Sequence, residues 1–329
     1  MIKIGMIGVG YWGPNLLRNF SNIPEVKIEW IVDKDPKRLE EVKRKYDAKL
    51  TEDPLEVFKS SVDAVVIATP AVTHYELTKR ALECDKDVFV EKPICIRSEE
   101  IERIKEIVEK RKRILMVGHL LLYHPSVNYI KKMIEDNELG EIYYVDSARL
   151  NLGKIRKDEN ALWSLAPHDV SMIIYLLGEI PEAVSSTGQS FLQKGIEDLV
   201  FITLYFKEKR IAHVTVSWLH PHKIRKTTVV GSSKMVVFDD TEPSEKIKIY
   251  DRDITPDEIK NGSFVIRYGD IVVPKVSLEE PLKRECMHFV ECIKKRTTPL
   301  TDINNGLNVV KILEAAQKSI NKKGGIEKI

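Results

Sequence analysis

Ile7-Gly8-Val9-Gly10-Tyr11-Trp12-Gly13 is the stretch that decides the fold of the first third of this chain. It contains the pattern GxGxxG, which follows an apolar run that predicts a strand and precedes residues 15–20, which predict a helix. In that context the backbone N–H groups and the helix dipole face the pyrophosphate of a dinucleotide. The stretch therefore predicts a dinucleotide-binding βαβ unit.

A carboxylate stands where such a unit holds the adenosine ribose. Asp33 ends the second predicted strand, 20 residues beyond Gly13, and would accept hydrogen bonds from the ribose hydroxyls. Because a 2′-phosphate would meet a like charge there, NAD is favoured over NADP, although Lys34 keeps NADP possible. The predicted cofactor contacts of this region are Gly8, Gly10, Tyr11, Trp12, Gly13, Asp33 and Lys34.

Strand and helix signals alternate from this loop to about residue 120. Short β-branched runs predict strands at residues 3–9, 27–33, 48–50, 63–69, 87–90 and 114–118. Apolar residues at helical spacing predict helices at residues 36–46, 74–84 and 98–111. This alternation is typical of an α/β, doubly wound parallel sheet, so residues 1–120 are predicted to form a Rossmann domain.

The pattern changes after a helix predicted at residues 125–137. Period-two alternation predicts long strands at residues 141–150, 183–191, 199–206, 211–219 and 227–232. One helix is predicted to begin at Pro167 and to end at Gly178, and two more close the chain at residues 280–295 and 302–321. Residues 121–329 are therefore predicted to form an α+β domain on an open, mostly antiparallel sheet, for substrate binding and oligomerisation. Its last helices could pack back on the first domain.

Two further motifs follow predicted strands, Ala68-Thr69-Pro70-Ala71-Val72-Thr73-His74 and Glu91-Lys92-Pro93. Together with the glycine loop they resemble the Gfo/Idh/MocA oxidoreductase family over essentially the whole chain. The resemblance implies a Rossmann domain followed by an open sheet domain. It also implies that Lys92 reaches both nicotinamide and substrate, and that His168 acts at the reacting hydroxyl.

The chemistry of these residues suits oxidation of an alcohol, independently of the family resemblance. Carboxyl ends of parallel strands meet at one edge of a doubly wound sheet, where ligands bind. An imidazole such as His168 can take a hydroxyl proton near neutral pH, and the ammonium group of Lys92 can stabilise the developing alkoxide. The remaining predicted cofactor contacts are Thr69, Pro70, His74, Glu91, Lys92 and Trp163. The predicted substrate contacts are Lys92, His119, Tyr123, Asn151, Arg156 and His168.

Simpler interpretations stay open for several of these residues. His74 could complete a helix cap, Glu91 could pair with a nearby cation, and Trp163 could be a core aromatic residue. Ser164 stands where the family often has an aspartate, four residues before its histidine. Either Asp169 or another carboxylate would then orient His168, or Lys92 and His168 act alone.

The substrate is predicted from charge and from resemblance. Basic residues occur at 154–157, including Lys154, and again at 220–226, including Lys223 and Arg225. They suit phosphate or carboxylate recognition, although a solvated face or an oligomer contact explains them equally well. Residues 119–125 and 151–169 resemble the family branch linked to nucleotide sugars and surface polysaccharides. The leading hypothesis is therefore oxidation of a nucleotide-linked sugar at C3. The alternatives are a free sugar or polyol dehydrogenase, a keto-sugar reductase, and a non-catalytic cofactor-binding sensor.

Composition narrows the function classes. The 329 residues carry 52 basic and 50 acidic side chains, a net charge of +2, so no global field favours nucleic acid or an anionic membrane. The four cysteines lack metal-ligand spacing, and no metal is expected. With no signal peptide or membrane-spanning run in the sequence, a cytoplasmic location is expected. An open sheet would need covering, which predicts a homodimer or homotetramer.

Overall fold

The computed structural model describes residues 1–153, 155–157, 159–256 and 264–329. Lys154, part of the first predicted basic cluster, lies outside these described residues. The chain divides into two units. Unit 1 comprises Met1–Tyr123 and Glu279–Val310, and unit 2 comprises His124–Leu278 and Lys311–Ile329.

Unit 1 is built on a parallel sheet of six strands. The strands are β1 (Ile2–Ile7), β2 (Val26–Val32), β3 (Lys49–Thr51), β4 (Ala64–Ile67), β5 (Asp87–Glu91) and β6 (Leu115–Gly118). Their order is β3-β2-β1-β4-β5-β6, and all pairs are parallel. Every residue of β4 is buried, as expected of a strand covered on both faces. The predicted doubly wound sheet is confirmed.

The helices of unit 1 are α1 (Gly13–Ser21), α2 (Pro36–Lys43), α3 (Pro54–Phe58), α4 (His74–Glu83), α5 (Ser98–Arg111) and α8 (Pro281–Lys295), with the first part of α9 (Ile303–Asn321). Short polar side chains cap two of these helices, α2 and α3. The side chain of Asp35 accepts the N–H of Lys37, and that of Asp53 accepts the N–H of Leu55. Helix α3 was not predicted from the sequence, although Asp53 before a proline is a typical helix start.

Helix α8 packs along β5, and three pairs of residues fix its position. Arg296, just beyond its C-terminal end, lies 2.5 Å from the carboxylate of Asp87. The ring of Phe289 lies 5.7 Å from that of Phe89 and 6.1 Å from that of Phe20. Asp87 and Phe89 share one face of β5, because strand side chains alternate. The helix therefore runs antiparallel to β5.

Unit 2 is built on a mixed sheet of nine strands, in the order β14-β13-β12-β11-β7-β10-β9-β8-β15. The strands are β7 (Ile142–Leu150), β8 (Ala183–Gln189), β9 (Leu199–Tyr205), β10 (Ile211–Ser217), β11 (Ile224–Gly231), β12 (Met235–Asp239), β13 (Ile247–Pro256), β14 (Phe264–Val272) and β15 (Glu327–Lys328). Only β7 and β10 pair in parallel; the other pairs are antiparallel. The predicted open, mostly antiparallel sheet is confirmed, but the last four strands were not predicted.

The helices of unit 2 are α6 (Pro125–Glu135), α7 (Ala161–Leu177) and the second part of α9. Helix α7 covers one face of β7, β9 and β10. The prediction that it starts at Pro167 is wrong, since Asn160 caps it and accepts the N–H of Trp163. Pro167 therefore lies inside the helix, where it cannot donate to a preceding carbonyl. Burial of the helix compensates for that loss.

The opposite face of this sheet carries exposed aromatic and aliphatic side chains. Tyr144, Phe201 and Ile211 are 43%, 42% and 42% exposed. Such a surface is consistent with a partner, but the homodimer or homotetramer stays a prediction. Among the described residues, no helix combines the length and apolar character that crossing a membrane requires.

The α8 contact gives a stability prediction. Phe289→Ala should lower the free energy of unfolding by about 3–5 kcal/mol, because it leaves a cavity between two aromatic rings. Thermal or urea unfolding followed by circular dichroism measures the change. Met287→Ala is the matched control on the same helix: its side chain is 47% exposed, so the change should stay within about 0.5 kcal/mol. Equal losses in both variants would contradict this account of α8.

Candidate active site

The loop between β1 and α1 has no space for a side chain at two of its glycines. Gly8 has φ +93°, and a Cβ atom there would lie 2.7 Å from the carbonyl oxygen of Ala68. A Cβ atom on Gly13 would overlap the carbonyl oxygen of Gly8. Side chains are thus excluded at two of the three motif glycines, which lets backbone N–H groups approach a pyrophosphate. Tyr11 is 82% exposed at the loop tip.

Asp33 supports this loop from the end of β2. Its carboxylate accepts the N–H groups of Val9 and Asp35, both at 2.9 Å, and the residue is buried. Sequence reasoning missed Arg38, whose guanidinium lies 3.5 Å from Asp33. A Cβ atom on Gly10 would lie 3.2 Å from the same guanidinium. A cation other than the predicted Lys34 therefore borders the ribose position, and both side chains are exposed.

Glu91 and Lys92 follow one another at the end of β5. The Glu91 carboxylate accepts the N–H of Lys92 at 3.2 Å and a hydrogen bond from the Trp12 indole, and it packs against Gly118. Burial raises the pKa of Glu91 to about 7, although the charge of Lys92 and these hydrogen bonds oppose the rise. The Lys92-Pro93 peptide bond is cis. Trp12 thereby connects the phosphate loop to the residue that precedes the predicted catalytic lysine.

His74 ties two loops together. One ring nitrogen lies 2.8 Å from the carbonyl oxygen of Pro93, the other 2.8 Å from that of Thr69, and the residue is buried. Both ring nitrogens face backbone carbonyl oxygens, and a neutral imidazole donates to one of them; a contact between His74 and cofactor stays a prediction. The structural role of His74 is to hold the Thr69-Pro70 loop against the Lys92-Pro93 turn. Burial lowers its pKa.

Two predicted substrate contacts are buried inside unit 1. His119 is 1% exposed, and its Nδ1 lies 2.5 Å from the side-chain oxygen of Asn305. Burial lowers its pKa to about 4, so His119 is neutral at physiological pH. Tyr123 is 6% exposed, and its hydroxyl lies 3.2 Å from that of Thr301. Residues distant in the chain cover both side chains in the structure, and their predicted contacts with substrate stay predictions.

Glu285 is an acidic residue of unit 1 that sequence reasoning missed. It lies on α8 one turn before Phe289, so it occupies the face that packs on β5. The ring of Phe289 contacts that of Phe89. Four helix residues and two strand residues each advance the chain by about 6 Å. Glu285, four residues before Phe289, therefore lies beside Glu91, two residues after Phe89. Glu285 is fully buried, and neither carboxylate oxygen has a hydrogen-bond partner among the described residues. Burial and the nearby charge of Glu91 raise its pKa well above the usual value.

In unit 2, His168 lines a cavity of about 70 Å³ together with charged and polar residues. The other lining residues are Arg149, Leu150, Asn151, Leu165, Lys223 and Arg225. The structure thus brings the predicted Asn151 and His168 together. Arg156 does not line this cavity; its guanidinium lies 2.9 Å from the carboxylate of Glu159.

Asp169, which follows His168 on α7, is hydrogen-bonded to Arg149 and Ser147. Its carboxylate receives two hydrogen bonds from Arg149, at 2.6 and 3.2 Å, and one from the hydroxyl of Ser147 at 2.9 Å. Consecutive helical residues also point in different directions. Asp169 is therefore a buried hydrogen-bond partner of Arg149.

Ser164 is also buried, one turn before His168 on α7. Trp163 is half-buried, and its contact with cofactor stays a prediction.

The described residues hold no group of three or more His, Cys, Asp or Glu side chains that could bind a metal ion. The pyrophosphate cradle and the ribose-side carboxylate, by contrast, fit a nicotinamide dinucleotide.

Comparison with known families assigns both parts of the chain. Residues 2–119 match an oxidoreductase family with an NAD-binding Rossmann fold. Residues 131–327 match the C-terminal alpha/beta domain of the same oxidoreductase family. The two matches together cover most of the chain.

Curated relatives are similar over different lengths. The inositol 2-dehydrogenase of Rhizobium meliloti (strain 1021) is 25% identical over 98% of both chains. The 2,7-anhydro-N-acetylneuraminate hydratase of Escherichia coli (strain K12) is 30% identical over 66% of this chain, which spans 62% of that relative. The chain likewise spans 61% of an oxidoreductase from Streptococcus pneumoniae serotype 4.

Solved structures show the same fold. A UDP-N-acetylglucosamine 3-dehydrogenase from Acidithiobacillus ferrooxidans is 20% identical, with a TM-score of 0.83 and 98% coverage of both chains. A levoglucosan dehydrogenase solved with NADH and levoglucosan is 21% identical, with a TM-score of 0.85 and coverage of 100% of this chain and 99% of that chain.

The buried Glu285 gives a prediction on pH and stability. An unfolded glutamate loses its proton near pH 4.5, whereas the folded chain retains it to higher pH, so wild-type stability falls as pH rises above that value. Glu285→Gln has no proton to lose, so its stability relative to wild type should increase between pH 5 and 8. Each unit of raised pKa corresponds to about 1.4 kcal/mol of this difference. Unfolding measured at several pH values in one buffer series provides the test.

Glu291→Gln is the matched control on the same helix. Its hydrogen bond with Lys295 lowers the pKa of Glu291, so this carboxylate is ionised in both states above pH 5. The control should therefore show no trend over this range. A flat difference for Glu285→Gln would show that the Glu285 carboxyl group is not desolvated.

Proposed function

Because the chain belongs to the Gfo/Idh/MocA oxidoreductase family, we propose that it is an NAD-dependent dehydrogenase that oxidises a secondary alcohol of a sugar. The observation that carries the proposal is the side-chain-free loop at Gly8 and Gly13 beside a strand end that presents Glu91 and Lys92. The glycine loop and Lys92 both belong to unit 1, which supports the proposal.

The residues that would hold the cofactor come from unit 1. Backbone N–H groups of the Gly8–Gly13 loop would bind the pyrophosphate, and Asp33 would accept the ribose hydroxyls. Thr69 and Pro70 follow the neighbouring strand β4, and the Thr69 hydroxyl lies 2.7 Å from that of Thr73. When bound, NAD supplies the nicotinamide ring that accepts a hydride from the substrate carbon.

We assign two chemical roles to this chain's own residues. Lys92 would donate a hydrogen bond to the reacting hydroxyl oxygen and stabilise its developing negative charge. His168 would take the hydroxyl proton as general base. The carbon loses its hydride and the oxygen loses its proton, so the alcohol becomes a ketone. With Asp169 engaged by Arg149, these two residues would perform the reaction without a carboxylate partner from Asp169.

The finer proposal is a nucleotide-linked sugar oxidised at C3. One solved relative of the same fold is named a UDP-N-acetylglucosamine 3-dehydrogenase, and cationic residues line the His168 cavity. Free polyols are the second candidate, since a relative covering 98% of both chains is named an inositol 2-dehydrogenase. A neutral polyol would make little use of those cations.

Turnover and its loss in two variants test the proposal. Purified protein with NAD should increase absorbance at the reduced-nicotinamide band with at least one member of a panel of nucleotide sugars, uronic acids and free polyols. Lys92→Ala and His168→Ala should each lower kcat by about 100-fold or more, because each removes one of the assigned roles. NAD affinity, measured by fluorescence titration, should change far less than kcat.

Lys110→Ala, at an exposed position of α5, is the control for loss of a lysine. Products are also analysed by mass spectrometry, because one relative is named a hydratase and a reaction without net oxidation would leave the absorbance unchanged. NAD binding without conversion of any compound would favour the sensor. Full activity of Lys92→Ala would refute its catalytic role.

Asp33 gives a separate prediction on cofactor choice. Asp33→Asn should weaken NAD binding and raise the kcat/KM for NADP relative to NAD by about 10-fold. The change removes a negative charge facing the 2′ position while Arg38 remains to bind a phosphate. Initial rates with both cofactors measure the ratio. In Asp33→Asn/Arg38→Ala the gain with NADP should disappear; a gain that persists would assign phosphate recognition to another residue, such as Lys34.

A further inference from the structure

The cavity beside His168 has an unusually cationic lining for its size. Three basic side chains, Arg149, Lys223 and Arg225, share it with Asn151, and its apolar lining consists of two leucines. All of these residues belong to unit 2. A site for a neutral sugar would be expected to present hydroxyl, amide and carboxylate groups rather than three cations.

The nearby carboxylates neutralise only part of this charge. Arg149 is paired with Asp169, and Arg225 lies 3.3 Å from Asp240. Asp240 is shared, because Lys246 lies 3.6 Å from it. Lys223 has no hydrogen-bond or ion-pair partner among the described residues. Two carboxylates thus serve the three cations of the lining and also Lys246.

The sheet register places two of these cations side by side. Arg225 on β11 lies directly opposite Arg149 on β7, and like charges at such positions destabilise a sheet. Thr227 on β11 contacts Ser147 on β7, whose hydroxyl also bonds to Asp169 of α7. The alternate β11 side chains therefore face α7, where His168 lies.

Lys226 provides the contrast on the same strand. It lies between Arg225 and Thr227, so its side chain points to the opposite face of the sheet. Like Lys223 it is exposed and has no ion-pair partner within the described part of the chain. The sequence placed Lys223 and Lys226 in one basic cluster. In the structure, Lys223 lines the cavity and Lys226 does not.

We propose that this cavity is an anion-binding subsite that takes a phosphate or carboxylate group of the substrate, with Lys223 and Arg225 as its principal ligands. The inference rests on the proposed function, since it deepens the choice of substrate. The cavity, of about 70 Å³, is proposed to take one such group. His168 lines the same cavity, so the anion belongs to the sugar that is oxidised or to the phosphate attached to it.

Direct binding tests the subsite without turnover. Inorganic phosphate, glucuronate and uridine diphosphate are titrated by calorimetry into the full chain with NAD present. At least one should bind, and Lys223→Met should weaken it about 10- to 100-fold, the loss expected for one charge-assisted hydrogen bond. Lys226→Met is the matched control and should leave the affinity unchanged. Binding of glucuronate alone identifies a carboxylate subsite; binding of phosphate or uridine diphosphate identifies a phosphate subsite.

Kinetics separate this inference from the proposed function. Lys223→Met should raise KM for an anionic sugar by a similar factor and leave the KM of a neutral sugar unchanged. Failure of all three anions to bind, or equal losses in Lys223→Met and Lys226→Met, overturns the subsite even if neutral sugars are oxidised. Anion binding that depends on Lys223, without conversion of any sugar, supports the subsite and refutes the dehydrogenase.

Discussion

The packing of helix α8 on strand β5 is the constraint on which the candidate site of unit 1 depends. Glu285 and Phe289 on the helix, and Arg296 just beyond its end, meet Glu91, Phe89 and Asp87 in turn on a single face of the strand. This match of helix and strand spacing fixes the strand end at Glu91, and therefore the position of Lys92. The helix comes from residues 281–295, so the lysine is held by chain that follows it by almost 200 residues.

That arrangement stabilises and destabilises unit 1 at once. The aromatic contacts of Phe289 and the ion pair of Arg296 are favourable, whereas the Glu285 carboxyl group is buried without a hydrogen-bond partner among the described residues. A second carboxyl group, that of Glu91, has a pKa of about 7. Two buried carboxyl groups on one contact surface lower the free energy of unfolding. Such locally unfavourable arrangements are typical of functional sites. Glu91 can therefore change charge near neutral pH next to the lysine proposed to stabilise an alkoxide.

The sequence allowed local structure to be predicted better than residue roles. Periodicity and the glycine loop were sufficient for the parallel sheet, because strands buried on both faces are continuous apolar runs. The start of α7 was mispredicted since the Asn160 cap competes with the proline signal at Pro167. Strand β14 was missed because its side chains are all exposed and show no alternation. The burial of His119 and Tyr123 was not predicted because Asn305 and Thr301, which cover them, lie about 180 residues away. No local pattern reports such long-range pairs.

Charge in unit 2 is divided between residues that support the fold and residues that are free to select a ligand. Arg149 and Asp169 are buried and mutually hydrogen-bonded, and removal of one partner of such a pair costs about 3–5 kcal/mol. Lys223 is exposed immediately before β11, where replacement costs little stability. The charge beside His168 can therefore change at position 223 while the buried pair keeps α7 on the sheet. Substrate charge preference can thus differ between chains of this fold without any change in the residues proposed to perform the reaction.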